Sequence, residues 1–185
     1  MEIMEIILAV LVSLMPIQSE LVEIVEIQED IVIIEEAVET KEIIEDYKYQ
    51  EIIEKESLKY GIPTEIIRGI ITVESNWNPN LDNTGLNKNG SVDFGLMQIN
   101  NRYTNSWLED MNWQGEWIWS SPEHNIKLGC YIISRYKNYW DDKVDESVLW
   151  DYVLSSYNKG GSGTEKYGLG IKYINKVKTS MEGLK

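Results

Sequence analysis

The run "GIPTEIIRGIITVESNWNP", residues 61–79, constrains this chain more than any other stretch. Ile66, Ile67, Ile70, Ile71 and Val73 cover most of the surface of a helix drawn through it, so that helix belongs in a core. Thr64 is placed to cap its start, and "NPN", residues 78–80, ends it. A lone acid, Glu74, then falls in the last turn. There the negative end of the helix dipole opposes ionisation, and a low dielectric pushes the same way. The carboxyl pKa should therefore rise toward neutrality, leaving a group that keeps its proton near working pH and can act as a general acid. The bland alternative is a surface glutamate that happens to follow an apolar helix.

The remainder of the chain must decide between these. With 185 residues there is room for one domain with a real core and an extra segment. Seven Trp and eleven Tyr stand against one Phe, a bias toward rings that combine an apolar face with a polar edge and so suit stacking as well as core filling. One cysteine, Cys130, excludes an intrachain disulfide and a cysteine metal site, and one histidine, His124, excludes a multi-histidine centre. Cys130 reads as a buried small hydrophobe and His124 as a solvated residue of a first helical turn. The net charge of −14 is uneven: residues 1–45 hold 12 acids and one lysine, whereas residues 46–185 hold 19 acids and 16 bases. The folded part is nearly neutral and has no basic footprint for nucleic acid.

Three regions follow. Residues 1–19 contain an apolar run, Ile6 to Ile17, too short to span a bilayer comfortably and suited to a signal-peptide core, although Glu2 and Glu5 replace the usual basic start. The competing reading is a hydrophobic start to an interaction helix. Residues 20–46 form an acidic Ile/Glu-rich stalk or linker, in which Ile24, Ile27, Ile31, Ile34 and Val38 make a heptad-like seam that packs against a second copy in self-association, against the domain itself or against nothing. Residues 47–185 have the composition of a mainly α globular domain. Helices are expected in "SSPEHNIKLGCYIISRYKNYW", "DESVLWDYVLSSYN" and "IKYINKVKTSM", with a loop or small hairpin in "LDNTGLNKNGSVDFG" and a loop in "KGGSGTEKYGLG".

"ESNWNP" (Glu74 to Pro79), "GLMQIN" (Gly95 to Asn100) and "SYNKGGSG" (Ser156 to Gly163) stand in that order. With these three motifs the chain resembles the SLT-type lytic transglycosylases and, more distantly, the goose-type lysozymes, over roughly residues 50–180. The resemblance implies a lysozyme-like helical domain that cleaves the β-1,4 bond between N-acetylmuramic acid and N-acetylglucosamine in peptidoglycan strands. It implies no cofactor and no metal. Glu74 is then the catalytic acid. Ser75 would hydrogen-bond to it or to the substrate, Gln98 would line the sugar cleft, Met97 would either line it or pack in the core, and Tyr157 and Asn158 would form the loop whose tyrosine hydroxyl orients the acid. Tyr173 matches a further family tyrosine of the last helix, read as structural more than catalytic.

Goose-type lysozymes place an Asp where this chain has Asn100, so a carboxylate that could activate water is missing there. Asp93 either substitutes for it or caps the loop. Without that carboxylate the resemblance implies a reaction in which Glu74 protonates the leaving sugar and the muramic N-acetyl group assists. Glu74 then takes the 6-hydroxyl proton, giving a 1,6-anhydro product. The alternatives are a muramidase that hydrolyses the same bond and a non-catalytic wall-binding protein on the same scaffold. Export to the envelope or the medium is expected, with a phage-borne enzyme as the other source. "WLEDMNWQGEWIW", residues 107–119, is either a wall for glycan stacking or an edge of the core.

Overall fold

The computed structural model describes residues 48–82, 87–113 and 121–182. Helix α1 (Gln50–Tyr60) ends at Gly61, whose φ of 61° closes the last turn with its N–H on the Ser57 carbonyl. The isoleucine run follows as α2 (Thr64–Ser75), with Ile67, Ile70 and Ile71 fully buried. Thr64 is the first helical residue and not the cap. Pro63 holds that position with no side-chain bond, and its carbonyl takes the Ile66 N–H at 3.0 Å. The helix stops at Asn76, which adopts the left-handed conformation at φ 48°.

The Gly/Asn/Asp loop does hold a hairpin, with β1 (Asp93–Phe94) antiparallel to β2 (Ile99–Asn100) and Asp93 opposite Asn100. Its turn is the "GLMQ" motif itself, residues 95–98. Helix α3 (Asn101–Asp110) starts directly from β2 with the Asn100 side chain as its cap, an element that the polar sequence concealed. Helix α4 (Pro122–Trp140) is capped by Ser121, whose hydroxyl accepts the His124 N–H at 3.1 Å, with Pro122 in the first turn. Helix α5 (Glu146–Lys159) ends at Gly160, φ 80°. The glycine-rich segment expected as loop contains a short helix, α6 (Gly161–Tyr167), and α7 (Ile171–Glu182) closes the domain.

Helix α2 packs mainly against α7, and α4 packs against α1 and α5, so the mainly α class holds with one small hairpin. Gly69 lets α2 approach α7 closely, because a Cβ there would lie 3.0 Å from side-chain atoms of Val177 and Met181. Gly129 of α4 does the same for the hairpin turn: its missing Cβ would lie 2.2 Å from the Met97 sulfur. Cys130 is fully buried beside it, and burial pushes its thiol up, so it behaves as a small apolar group.

Met97 and Gly129 are thus packed as a pair. Gly129→Ala should lower stability by about 1–3 kcal/mol despite the better helix propensity of alanine, read from urea midpoints. Combined with Met97→Ala it should show a favourable coupling of about 1 kcal/mol or more. Additive losses would mean that the two residues are not in steric register.

Candidate active site

A cleft of about 630 Å³ runs over the hairpin and between α3, α4 and α5, and Glu74, Asp93, Gln98, Tyr157 and Asn158 all line it. Helix α2 delivers Glu74 from below, β1 delivers Asp93, and the end of α5 delivers Tyr157 and Asn158.

The Glu74 carboxyl is half-buried, and Oε1 accepts a 2.5 Å hydrogen bond from the Tyr173 hydroxyl of α7. Desolvation pushes its pKa from the ordinary 4.5 up to about 7, and the nearby negative charge of Asp93 adds to the rise. The Tyr173 bond and the Lys176 ammonium pull the other way without cancelling it. Tyr173 is itself 8 % exposed, and burial together with the Glu74 charge keeps its phenol well above its ordinary 10.0, so it donates and does not ionise.

The hairpin turn is clamped from beneath. Asn125, a buried amide of α4, accepts the Met97 N–H at 2.8 Å and donates to the Phe94 carbonyl at 2.9 Å. Ser75 donates to the Leu96 carbonyl at 2.8 Å, with the Ile71 carbonyl at 3.1 Å, and so joins the end of the acid's helix to the same turn. The Tyr157 hydroxyl donates to the Met97 carbonyl at 2.7 Å. Gly95 has φ 73°, and a Cβ there would come within 2.7 Å of the Asn125 amide. Only glycine satisfies both demands.

These contacts correct two expectations, for Ser75 and Tyr157, and decide a third, for Met97. Ser75 is buried behind the cleft with its hydroxyl on backbone carbonyls, where it braces the acid from behind. The Met97 side chain is fully buried against Gly129, so it is a core residue whose backbone, not its thioether, supports the cleft. The tyrosine on the acid is Tyr173 and not Tyr157, because Tyr157 spends its proton on the Met97 carbonyl. Gln98 does line the cleft, but its Nε2 holds the Leu81 and Gly95 carbonyls at 3.0 and 2.9 Å and thereby fixes the turn. Asn158 is exposed on the cleft wall.

Asp93 does not cap the loop. Its Oδ1 accepts from Asn100 Nδ2 at 2.6 Å and its Oδ2 from Asn87 Nδ2 at 2.9 Å, which fixes a carboxylate in the cleft wall. The Asn100 amide works in both directions, since its Oδ1 also takes the Arg102 N–H that starts α3. An acid at position 100 could cap α3 but would repel Asp93. The presence of Asn there follows from the charge opposite it.

The aromatic cluster divides. Trp107 lines the cleft and meets Tyr131 and Tyr136 edge-on at 6.4 and 6.2 Å, so it is cleft wall and core edge at once. Trp113 packs edge-on to His124 at 5.2 Å, and that histidine is part-buried. Trp77 stacks with Tyr49, and Trp140 is buried with its Nε1 on Ser156 at 2.8 Å. Trp117 and Trp119 lie outside the described residues. Asn125 was detectable: it shares the helical face of Leu128, Gly129 and Ile132, and a polar residue there must find buried partners. Among the described residues no group of three His, Cys, Asp or Glu side chains is placed to hold a metal ion.

Comparison with known proteins agrees with this arrangement. Residues 51–178 match the family model described as the transglycosylase SLT domain. The chain is 27% identical over 113 residues to protein IpgF of Shigella flexneri, a match covering 61% of this chain and 68% of that protein. It is 28% identical over 124 residues to the membrane-bound lytic murein transglycosylase C of Haemophilus ducreyi, and 29% identical over 125 residues to that of Serratia proteamaculans. Each of these two matches covers 64% of this chain but only 32% of the relative, so the shared part is about a third of those longer proteins. With the family model spanning most of the chain and its motifs gathered at one cleft, this protein belongs to the transglycosylase SLT family.

Proposed function

We propose that the chain is a peptidoglycan lytic transglycosylase, with Glu74 as the single acid and base of the reaction. The observation that carries this reading is a carboxyl held near pKa 7 by burial at the floor of a cleft. Near neutrality a substantial fraction of Glu74 is protonated. Because Oε1 already accepts from Tyr173, the proton resides on Oε2. Donation of that proton to the glycosidic oxygen releases the leaving sugar as the C–O bond breaks. The muramic N-acetyl oxygen supports the anomeric carbon as positive charge develops. The Glu74 carboxylate then removes the proton from the muramic 6-hydroxyl, whose oxygen closes on the anomeric carbon. A 1,6-anhydro ring forms, no water is consumed, and Glu74 is protonated again.

Other side chains serve this cycle without exchanging protons. Tyr173 and Lys176 stabilise the carboxylate between the two halves, which tunes the acid so that it can also act as base. Asp93, with each oxygen accepting an amide, is a fixed negative charge facing an oxocarbenium-like transition state. Gln98 and Asn158 supply amides along the sugar path, and Trp107 supplies an aromatic wall. We also read residues 1–19 as an export signal or hydrophobic start and residues 20–46 as a spacer, placing the domain outside the cytoplasmic membrane, where its substrate lies. No helix of the described residues is long and apolar enough to cross a membrane.

Mass spectrometry of digested sacculi tests the reaction. Anhydromuropeptides are expected, and reducing ends alone would overturn the transglycosylase reading. Glu74→Gln should lose about 10²–10⁴-fold in rate. It should also change stability with a defined sign. A folded pKa raised from 4.5 to about 7 means that the wild type is most stable below the lower value and loses stability as pH climbs through the upper one. The amide does not titrate, so the variant should gain roughly 1–3 kcal/mol on the wild type between about pH 4 and pH 8, after allowance for partial exposure. Equal pH dependence of the two melting curves would contradict a raised pKa.

The two tyrosines give a paired prediction. Tyr173 donates to the ionised acid, so Tyr173→Phe should raise the Glu74 pKa and move the alkaline limb of the kcat/KM profile to higher pH. Tyr157→Phe frees only the Met97 carbonyl, and its limb should stay near that of the wild type while stability falls by about 1 kcal/mol. The reverse pattern would restore Tyr157 as the residue that orients the acid.

A further inference from the structure

From Lys166 to Met181 the chain carries four lysines and no acid, in a protein whose net charge is −14. Those residues form the end of α6, the connector 168–170 and nearly all of α7. Lys178 pairs with Asp151 of α5 at 2.5 Å, and Lys166, Lys172 and Lys176 are exposed. Among them stand two large apolar side chains that the core does not take: Tyr167 is 72 % and Ile171 54 % exposed. The Lys166 ammonium lies 5.2 Å from the centre of the Tyr167 ring. Lys172 and Lys176, one turn apart on α7, line an open groove of about 500 Å³ with Asn175 and Thr179, a set of donors suited to phosphate oxygens.

This edge is held rigidly. The Ser155 hydroxyl accepts the Gly170 N–H at 2.9 Å and meets the Thr164 hydroxyl at 3.0 Å, and the Lys159 ammonium donates to the Gly168 carbonyl. Tyr167 and Ile171 therefore flank a pinned connector. Keeping an isoleucine and a tyrosine ring in water is unfavourable, and an apolar phase would relieve it. An apolar tip among lysines matches both parts of an anionic bilayer surface. The ring and the aliphatic chain enter the interface while the ammonium groups stay with the phosphates. A soluble polyanion would satisfy the lysines and leave Ile171 in water.

We propose that the α6–α7 edge is a peripheral contact surface for anionic phospholipid membranes, with Tyr167 and Ile171 in the interface and Lys166, Lys172 and Lys176 on headgroup phosphates. Two apolar side chains and three cations make a weak, reversible contact, not an anchor. The assignment does not depend on the reaction at Glu74.

The apolar run of residues 6–17 would bind vesicles in its own right, so the readout is local. Cys130 is fully buried, so Ile171→Cys in the full chain takes a nitrobenzoxadiazole label at one place. Its emission should shift to the blue on vesicles of equal parts phosphatidylglycerol and phosphatidylcholine, and not on phosphatidylcholine alone. The same label at Leu58→Cys, a position 87 % exposed on α1, should shift on neither. With the label kept at position 171, Lys166→Gln and Lys172→Gln should each cut the ratio of shifted to unshifted label about fivefold at fixed lipid, the scale of one cation at such a surface. No shift at position 171, even with the chain sedimenting with the vesicles, would overturn the proposal. Equal shifts at positions 171 and 58, equal shifts on both lipid compositions, or lysine variants that keep the full shift would do the same. A shift that grows with protein concentration in the absence of vesicles would give the edge to a second copy of the chain. The same shift with dextran sulfate would give it to a soluble polyanion, and either result overturns the membrane assignment.

Discussion

The 2.5 Å hydrogen bond from Tyr173 to Glu74 joins residues 99 positions apart and fastens α7 to the last turn of α2. Everything else in the site is arranged around the carboxyl that receives it. Apolar packing of α2 brings the acid into a partly desolvated place, and the close approach of α2 to α7 at Gly69 brings the tyrosine within reach. Desolvation favours the proton, and the phenol favours the anion. Their balance, near neutrality, is what a group needs if it must give up a proton and recover it within one turnover.

A second constraint keeps the ceiling of the site in register with its floor. The four-residue turn of the hairpin is anchored in the core by Leu96 and Met97, and Asn125, Ser75 and Tyr157 each satisfy one of its backbone groups. These three come from α4, α2 and α5, so the turn is referenced to three helices at once. Backbone groups in that position would be costly if unpaired, which makes the clamp a matter of stability as well as geometry. Asp93 then hangs from β1 at a fixed distance from the acid, secured by Asn87 and Asn100.

Sequence reading reached the parts of this arrangement that are local. Glu74 is visible because its neighbours along the helix are isoleucines, and Ser121 with Pro122 announces the start of α4 by residue type. What escaped was long-range. Nothing near Ser75 or Met97 says which way either side chain points, and the choice is made by Leu96 and Gly129, far along the chain. The exchange of roles between Tyr157 and Tyr173 has the same origin: both hydroxyls can reach the site, and tertiary distances decide which finds the acid. Helices α3 and α6 were hidden because their turns are polar or glycine-rich and owe their form to packing. Asn125 does carry a local signal, a polar side chain on an otherwise apolar face.

In the proposed reaction the chemistry rests on one residue, Glu74, at the floor of the cleft. The central claim is the protonation state of Glu74 in the folded protein. Carbon-detected NMR of protein labelled at the glutamate side-chain carboxyls, with Glu74→Gln used to assign the resonance, reads it directly. The account predicts a midpoint near 7 for that one carboxyl. A midpoint near 4.5, with the side chain titrating like an exposed acid, would contradict it.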